Sequence, residues 1–341
     1  MNRSSSKPNN FKHFVGIDIS KNKLDICLIK ESGIIDERII PNAVEAIRDL
    51  LIEFKKLPAF QMKKTLFCMD NTGIYGNHLL QVFQKVKANL VVENGLHIKQ
   101  SIGLVRDKSD KKDAARIAVY AMRHSDQAKL WQPPRPVILQ LRHLGETRDR
   151  LVGLTVRLKN PSKEQQLFLP AKIKKEVLSL SVNSLEALKS DILNIEKVID
   201  DIINADERIA RLNKIVMSVP GIGRHTALQL IIKTNEFISY NDPDKFACYA
   251  GVVPFISESG LQTARPRVSQ LANRKMKSLL HICAVRVVRF EPELRQYYLR
   301  KTVEEKKSKM SVINAVRNKL IKRVFACVKE DRLFVTRGDS E

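Results

Sequence analysis

Four aspartates stand out for the chemistry they can do together. Asp18 stands in a short apolar run, Phe14-Val15-Gly16-Ile17-Asp18-Ile19, and Asp70 follows another at 65–69. Asp110 and Asp113 lie three residues apart, hence on one face of a helix. Phosphoryl transfer by two metal ions needs several carboxylates from different elements, because ions about 4 Å apart must be held on both sides of the scissile phosphate. A single aspartate at a strand end is more often a cap or turn residue, and Asp107, one turn ahead of Asp110, has the position of a helix cap. Four carboxylates spread over three elements are less easily explained as caps.

The elements that would position them are legible in the hydrophobic pattern. Residues 14–19 read as a buried strand that stops at the turn-like Ser20-Lys21-Asn22-Lys23. Strands over 24–29 and 34–40, joined through Glu31-Ser32-Gly33, complete a meander. A helix over about 43–56 carries Val44, Ile47, Leu51 and Phe54 at helical spacing. Then come a strand at 65–69 ending at Asp70, a helix from about residue 74 and a strand at 89–92. A helix over about 110–124 follows, with Ala114, Ile117, Ala118 and Ala121 on one side. The order βββαβαβα is that of an RNase H-like α/β domain, expected over 13–130 behind a polar tail at 1–12. Order alone does not separate it from other α/β folds.

The middle, 131–214, has a different period. Val137, Leu141, Leu144, Arg148, Leu151, Thr155 and Leu158 alternate spacings of four and three, as do Leu185, Leu188, Ile192, Ile195, Ile199 and Ile202. This is a coiled-coil seam, and Pro161 and Pro170 break it into an antiparallel helical hairpin. The seam serves equally to pack the hairpin on itself or to hold a partner subunit. A mainly helical domain is expected over 215–330, with a tail at 331–341. It opens with Val219-Pro220-Gly221-Ile222-Gly223-Arg224, which fits a helix-hairpin-helix whose backbone N–H groups cradle a phosphate. A glycine-permitted tight turn between packed helices explains Gly221 and Gly223 equally well.

Charge narrows the partner. Sixty Lys+Arg against 37 Asp+Glu in 341 residues leave +23 at pH 7, an imbalance that selects a polyanion, usually nucleic acid. From Ser259 to Phe290 there is no acid, while Arg265, Arg267, Arg274, Lys275, Lys277, Arg286 and Arg289 line up. Plain solubility does not need such a field, and a nucleic-acid surface does. No run approaches the roughly 18 uncharged apolar residues of a membrane span, and the first residues lack a signal peptide's apolar core. A soluble, cytoplasmic, nucleoid-associated protein is expected. Five cysteines, odd in number and never spaced as Cys-x-x-Cys, are expected as core thiols rather than disulfides or a zinc site.

Several blocks together resemble the DEDD transposases of the insertion-sequence one-ten class, described as bridge-RNA-guided recombinases. They are Val15-Gly16-Ile17-Asp18-Ile19-Ser20-Lys21 with Leu24-Asp25; Met69-Asp70-Asn71-Thr72-Gly73-Ile74-Tyr75; and Lys108-Ser109-Asp110-Lys111-Lys112-Asp113-Ala114. Ser218-Val219-Pro220-Gly221-Ile222-Gly223 and Phe246-Ala247-Cys248-Tyr249-Ala250-Gly251-Val252-Val253-Pro254, then Ser259-Gly260, continue the likeness over about 13–290. The resemblance implies a RuvC-like domain, a coiled coil and a C-terminal transposase domain. It implies Mg2+ or Mn2+ held by Asp18, Asp70, Asp110 and Asp113, and Ser259 as nucleophile. It also implies donor and target DNA, a guide (bridge) RNA and a homo-oligomer, dimer or tetramer. The family's second acid is usually Glu; here Asp70 is one methylene shorter and keeps the charge. Asp25 also matches a family position and reads as structural, since it lies on the neighbouring strand.

A serine hydroxyl needs a base or a metal to activate it, and the histidine nearest Ser259 in sequence is His281. The metal site of the first domain supplies activation if the two domains meet. Ser257 is the local rival; Gly260 favours Ser259, because a following glycine lets backbone approach a phosphate closely. Two other functions compete. A RuvC-like endonuclease would use the quartet with water and no serine, and a non-catalytic RNA-binding scaffold would need the charge but not the four acids.

Overall fold

An apolar run of strand length stands near the start of the described residues, and it forms the centre of a sheet. The structure is a computed structural model and describes residues 11–71, 73–102, 110–160, 167–259, 262–268 and 272–335. Two compact units divide the chain, Met1–Pro133 and Pro134–Glu341, so the helical hairpin belongs with the C-terminal region.

The first unit holds a mixed five-stranded sheet in the order β3-β2-β1-β4-β5. Its strands are β1 (His13–Ile19), β2 (Lys23–Lys30), β3 (Gly33–Pro41), β4 (Thr65–Asp70) and β5 (Asn89–Glu93). β1 pairs antiparallel with β2 and parallel with β4, and β4 pairs parallel with β5. Side chains alternate between the two faces. Val15, Ile17, Ile19, Phe67 and Met69 face a core built with Ile47, Leu51 and Phe54 of α1 (Val44–Lys56) and Leu79 and Phe83 of α2 (Asn77–Val86). Phe14, Cys27, Leu66, Cys68 and Val91 face the opposite side, against Ile98 of α3 (Gly95–Ile102) and Ala114, Ile117, Ala118 and Ala121 of α4 (Asp110–Arg123). Two details differ from the sequence reading. A 3-10 turn at Gly73–Gly76 precedes α2, and α3, only eight residues long, intervenes before α4.

Gly16 lets α4 lie directly on β1. A Cβ there would stand 2.1 Å from the carbonyl oxygen of Ala114 and 2.3 Å from the amide nitrogen of Ala118, both backbone atoms that cannot rotate away.

In the second unit, α5 (Pro136–Lys159) and α7 (Val182–Ala205) pack antiparallel. Ile138 and Leu141 share a cluster with Ile199 and Ile203, Arg148 bonds Glu196, and Thr155 neighbours Leu185 and Ile192 around an apolar groove. α6 (Ala171–Leu180) lies between them in sequence. The expected break at Pro161 lies outside the described residues. α8 (Glu207–Ser218), α9 (Arg224–Thr234), α10 (Pro243–Tyr249), α11 (Arg274–Phe290), α12 (Pro292–Leu299) and α13 (Lys309–Lys329) follow. Their core gathers Ile215, Val219, Phe246, Leu280, Val316 and Leu320. A β-hairpin, β6 (Pro254–Ser259) with β7 (Gln262–Val268), interrupts the helices.

One ion cluster ties this unit together. Arg135 bonds Asp206 at 2.7 and 3.0 Å and the wholly buried carboxylate of Glu236 at 2.6 and 2.9 Å. Arg208 reaches Glu236 at 3.1 Å. Arg135 holds the Asp206 carboxyl below its ordinary range, and Asp206 also caps α8 through the Ile209 amide. Glu236 is the middle of three successive residues with positive φ, Asn235 (50°), Glu236 (58°) and Phe237 (62°), a backbone path that L-residues avoid.

Gly16→Ala is expected to destabilise the first unit by about 1–3 kcal/mol, the usual cost of overpacking, and to displace the first turn of α4. Urea unfolding checks the stability.

Candidate active site

The β registers gather acids along one edge of the sheet. Asp18 lies opposite Asp25 across β1 and β2, and Asp70 lies opposite Glu93 across β4 and β5. Ile17 pairs with Met69, so Asp18 and Asp70 come next, side by side at the ends of parallel neighbours. All four positions share the face of Gly16, Cys27, Cys68 and Val91, so Asp25, Asp18, Asp70 and Glu93 form a row across four strands beneath α4. Asp110 and Asp113 occupy the first turn of α4, immediately ahead of the Ala114 that meets Gly16.

The environments differ along the row. Asp25 is buried and forms an ion pair with Lys23 Nζ at 3.1 Å. Asp18 and Asp70 are half-buried, as is Asp113, which accepts a 2.6 Å hydrogen bond from Arg116 Nη1. The side chain of Asp110 lies outside the described residues. Asp70 leans on the start of α3, where a Cβ on Gly95 would come within 2.3 Å of its Oδ2. Glu93 accepts from the Asn94 amide (2.8 Å) and Tyr120 Oη (3.1 Å), and its Oε1 lies 3.0 Å from His97 Nδ1. Burial, then the charges of Glu93 and Asp70, push the Cys68 thiol up to about 12. Burial and the neighbouring Glu93 likewise raise the Tyr120 phenol.

An all-carboxylate donor set suits a hard divalent cation. Among the described residues, no three His, Cys, Asp or Glu side chains converge on one ion position. Sequence reasoning missed Glu93 and Gly95. The only signal was an acid and a glycine directly after the short run Leu90-Val91-Val92.

The basic candidates lie in the second unit. Gly221, with φ of 87°, packs against α11, where a Cβ would meet Val287 Cγ2 at 2.7 Å, so tight packing accounts for it. A Cβ on Gly223 would meet open space; Gly223 starts α9 with no side-chain cap, and Arg224 pairs with Asp200. Arg274 is exposed and Lys277 half-buried, while Lys275 pairs with Asp149 of α5. Asp149 also lies 3.3 Å from His225 Nε2 and 3.6 Å from Arg148 Nη1. Burial lowers the His225 pKa, with Asp149 opposing. Arg265 and Arg267 lie on β7, and their side chains are outside the described residues.

Ser259 is the last residue of β6 and pairs with Gln262, at the far end of the hairpin from Pro254 and Val268. Ser257 pairs with Ala264. The hairpin base is clamped. Asn273 donates its backbone N–H to the Tyr249 carbonyl and its Nδ2 to Tyr249 Oη, both at 2.8 Å. Asn314 Nδ2 donates to the Val252 carbonyl at 2.6 Å, and Gly251 (φ 65°) lies so near Ala272 that a Cβ would come within 2.2 Å of it.

Comparison with known proteins assigns both halves. Residues 15–165 match the IS110-type DEDD transposases, and residues 213–299 match the transposase family IS116/IS110/IS902. The pilin gene-inverting protein of Moraxella bovis is 23% identical over 332 residues, covering 95% of this chain and 98% of that protein. The transposase for insertion sequence element IS1111A of Coxiella burnetii is 23% identical over 288 residues, 78% of this chain and 75% of its own. The two family matches and these relatives define a DNA transposase or recombinase. The chain belongs to the IS110 family of transposases. Among the described residues, no helix is long and apolar enough to cross a membrane.

The thiol environments give a direct check. Cys27 and Cys68, pushed up to about 11 and about 12 chiefly by burial, stay protonated at pH 8. Cys283 and Cys327 are also buried, so a thiol reagent is expected to label only the half-buried Cys248 promptly until denaturant exposes the rest. Mass spectrometry of the labelled peptides reads the outcome.

Proposed function

We propose that this transposase exchanges DNA strands with an RNase H-like (RuvC-like) carboxylate site and a serine nucleophile. The observation that carries the reading is the register putting Asp18 and Asp70 side by side on the face covered by α4, whose first turn contains positions 110 and 113. Those four carboxylates would hold Mg2+ or Mn2+, which supplies Lewis-acid stabilisation of the phosphoryl oxygens when bound. Asp70 sets the depth of the site, because its shorter side chain leans on Gly95. Ser259 Oγ forms an ester with the DNA phosphorus as the bond to the leaving sugar oxygen breaks, and that oxygen takes up a proton. The ester keeps the energy of the broken bond, so rejoining to a new partner needs no ATP.

Gly223 and Arg224, with Arg265, Arg267, Arg274, Lys275 and Lys277, contact nucleic-acid backbone, and Gly221 shapes the turn that carries the first two. A bridge RNA specifies donor and target DNA, and the helical hairpin serves a homo-oligomer working on nucleoid DNA in the cytoplasm. The family resemblance supports these last assignments.

Asp18→Asn, Asp110→Asn and Asp113→Asn are each expected to abolish strand exchange with folding intact, and Asp70→Glu to retain it. A well-folded Asp18→Asn protein that recombined at the normal rate would sink the quartet. After reaction with DNA and guide RNA, denaturation and digestion should yield a nucleotide-linked Ser259 peptide. Ser259→Ala should lose that peptide and Ser257→Ala should keep it. Cleavage without any adduct would favour a water-using endonuclease.

Combined alanine substitution of Arg265, Arg267, Arg274 and Lys275 is expected to flatten log affinity against log salt by nearly one unit for each phosphate no longer neutralised. Lys275 should contribute least, since Asp149 already occupies it. Filter binding across a salt series measures the slope.

A further inference from the structure

His281 is the histidine nearest Ser259 in sequence, which makes it the obvious candidate for a general base. Its surroundings fit a different role. On α13, the Arg317 side chain is 5% exposed, and its Nη2 meets His281 Nδ1 on α11 at 2.5 Å. Arg317 Nη1 donates to Asn314 Oδ1 at 3.3 Å, and Nη2 also lies 3.7 Å from Met310 Sδ. Among the described residues no carboxylate pairs with Arg317, and its Nε–H has no acceptor.

A guanidinium has donors only and keeps its proton, so the His281 Nδ1 facing it must be the lone-pair nitrogen. The ring proton then sits on Nε2, and the imidazole is held neutral as a fixed donor. Burial and Arg317 both lower the His281 pKa, in keeping with that state. A buried cation without a counter-charge is costly unless a ligand supplies one. The neighbourhood is cationic as well. Arg274, Lys277 and His281 recur at positions i, i+3 and i+7 of α11, hence along one face, and α11 follows directly on the β6–β7 hairpin. Asn314, which touches Arg317, also holds the carbonyl of Val252 at the hairpin base.

We propose that His281 and Arg317 form a phosphate-binding site for a nucleic-acid phosphodiester, with the imidazole Nε2–H as the contacting donor and the buried guanidinium as positioning residue and source of charge. The inference rests on the reading that Arg274 and Lys277 follow a nucleic-acid backbone.

The test measures affinity of the full chain for a DNA duplex and for a single-stranded RNA of equal length across a salt series. His281→Ala is expected to weaken binding about tenfold with little change in salt slope, because it removes a neutral donor, and His281→Gln, which keeps an N–H, to recover most of the loss. Arg317→Met is expected to lower the slope by just under one unit, and Arg317→Lys to keep it. Should Arg317→Met fail to fold by circular dichroism, the His281 pair and Arg317→Lys carry the test. Loss for DNA alone or for RNA alone supports the site and identifies whose phosphate it takes. Wild-type affinity in His281→Ala for both nucleic acids, or a proton found on Nδ1 by nitrogen-15 NMR, overturns the proposal. If Arg274→Ala with Lys277→Ala loses slope while the His281 and Arg317 variants do not, only this site fails. If none of them changes binding, the α11 surface fails with it.

Discussion

A helix whose backbone would stand 2.1 and 2.3 Å from a Cβ on the strand beneath it needs glycine on that strand. Gly16 meets that need, and the geometry of the carboxylate edge follows from it. With α4 pressed onto β1, the first turn of the helix is tied to the strand that carries Asp18, and β1 is in turn hydrogen-bonded to β2 and β4. Alanine at 114, 118 and 121, the smallest side chain that still fills the space, makes up most of the remaining contact, with Ile117 beside it.

The distribution of charge follows the division of the chain. A protein of net charge +23 collects Asp25, Asp18, Asp70 and Glu93 along one row of one sheet. Burial first, and then this like charge, resists ionisation of the nearby Cys68 thiol and Tyr120 phenol. In the second unit the pattern is reversed, with isolated acids set among cations. Asp149 faces Lys275, His225 and Arg148, and so acts as a tethered counterion within the basic surface.

Period and punctuation carried the strands, the long helices and the positions of Asp18, Asp70, Asp110 and Asp113, because each belongs to a local run with a clear repeat. The hairpin was not legible. Pro266 falls inside β7, and Pro-Phe-Ile-Ser-Glu-Ser has no clean alternation, so its pairing depends on the clamp from Tyr249, Asn273 and Asn314 rather than on strand propensity. α3 was missed because eight residues show too little of a helical repeat. Glu93 acquires meaning only through its register with Asp70, and Asp149 through Lys275, 126 residues away. No local pattern encodes such a partner.

The Arg135 cluster bears on the order in which the chain can mature as it is synthesised. The first unit is complete by Pro133 and has its own sheet and two-sided core, so it can close while the rest is still being made. Arg135 emerges at that moment without either partner, since Asp206 is 71 residues behind it and Glu236 is 101. The left-handed path through Asn235, Glu236 and Phe237 gains its full compensating charge when Glu236 reaches both Arg208 and that waiting guanidinium. The helical unit is thus built to set late and all together, after its last long-range partner has left the ribosome.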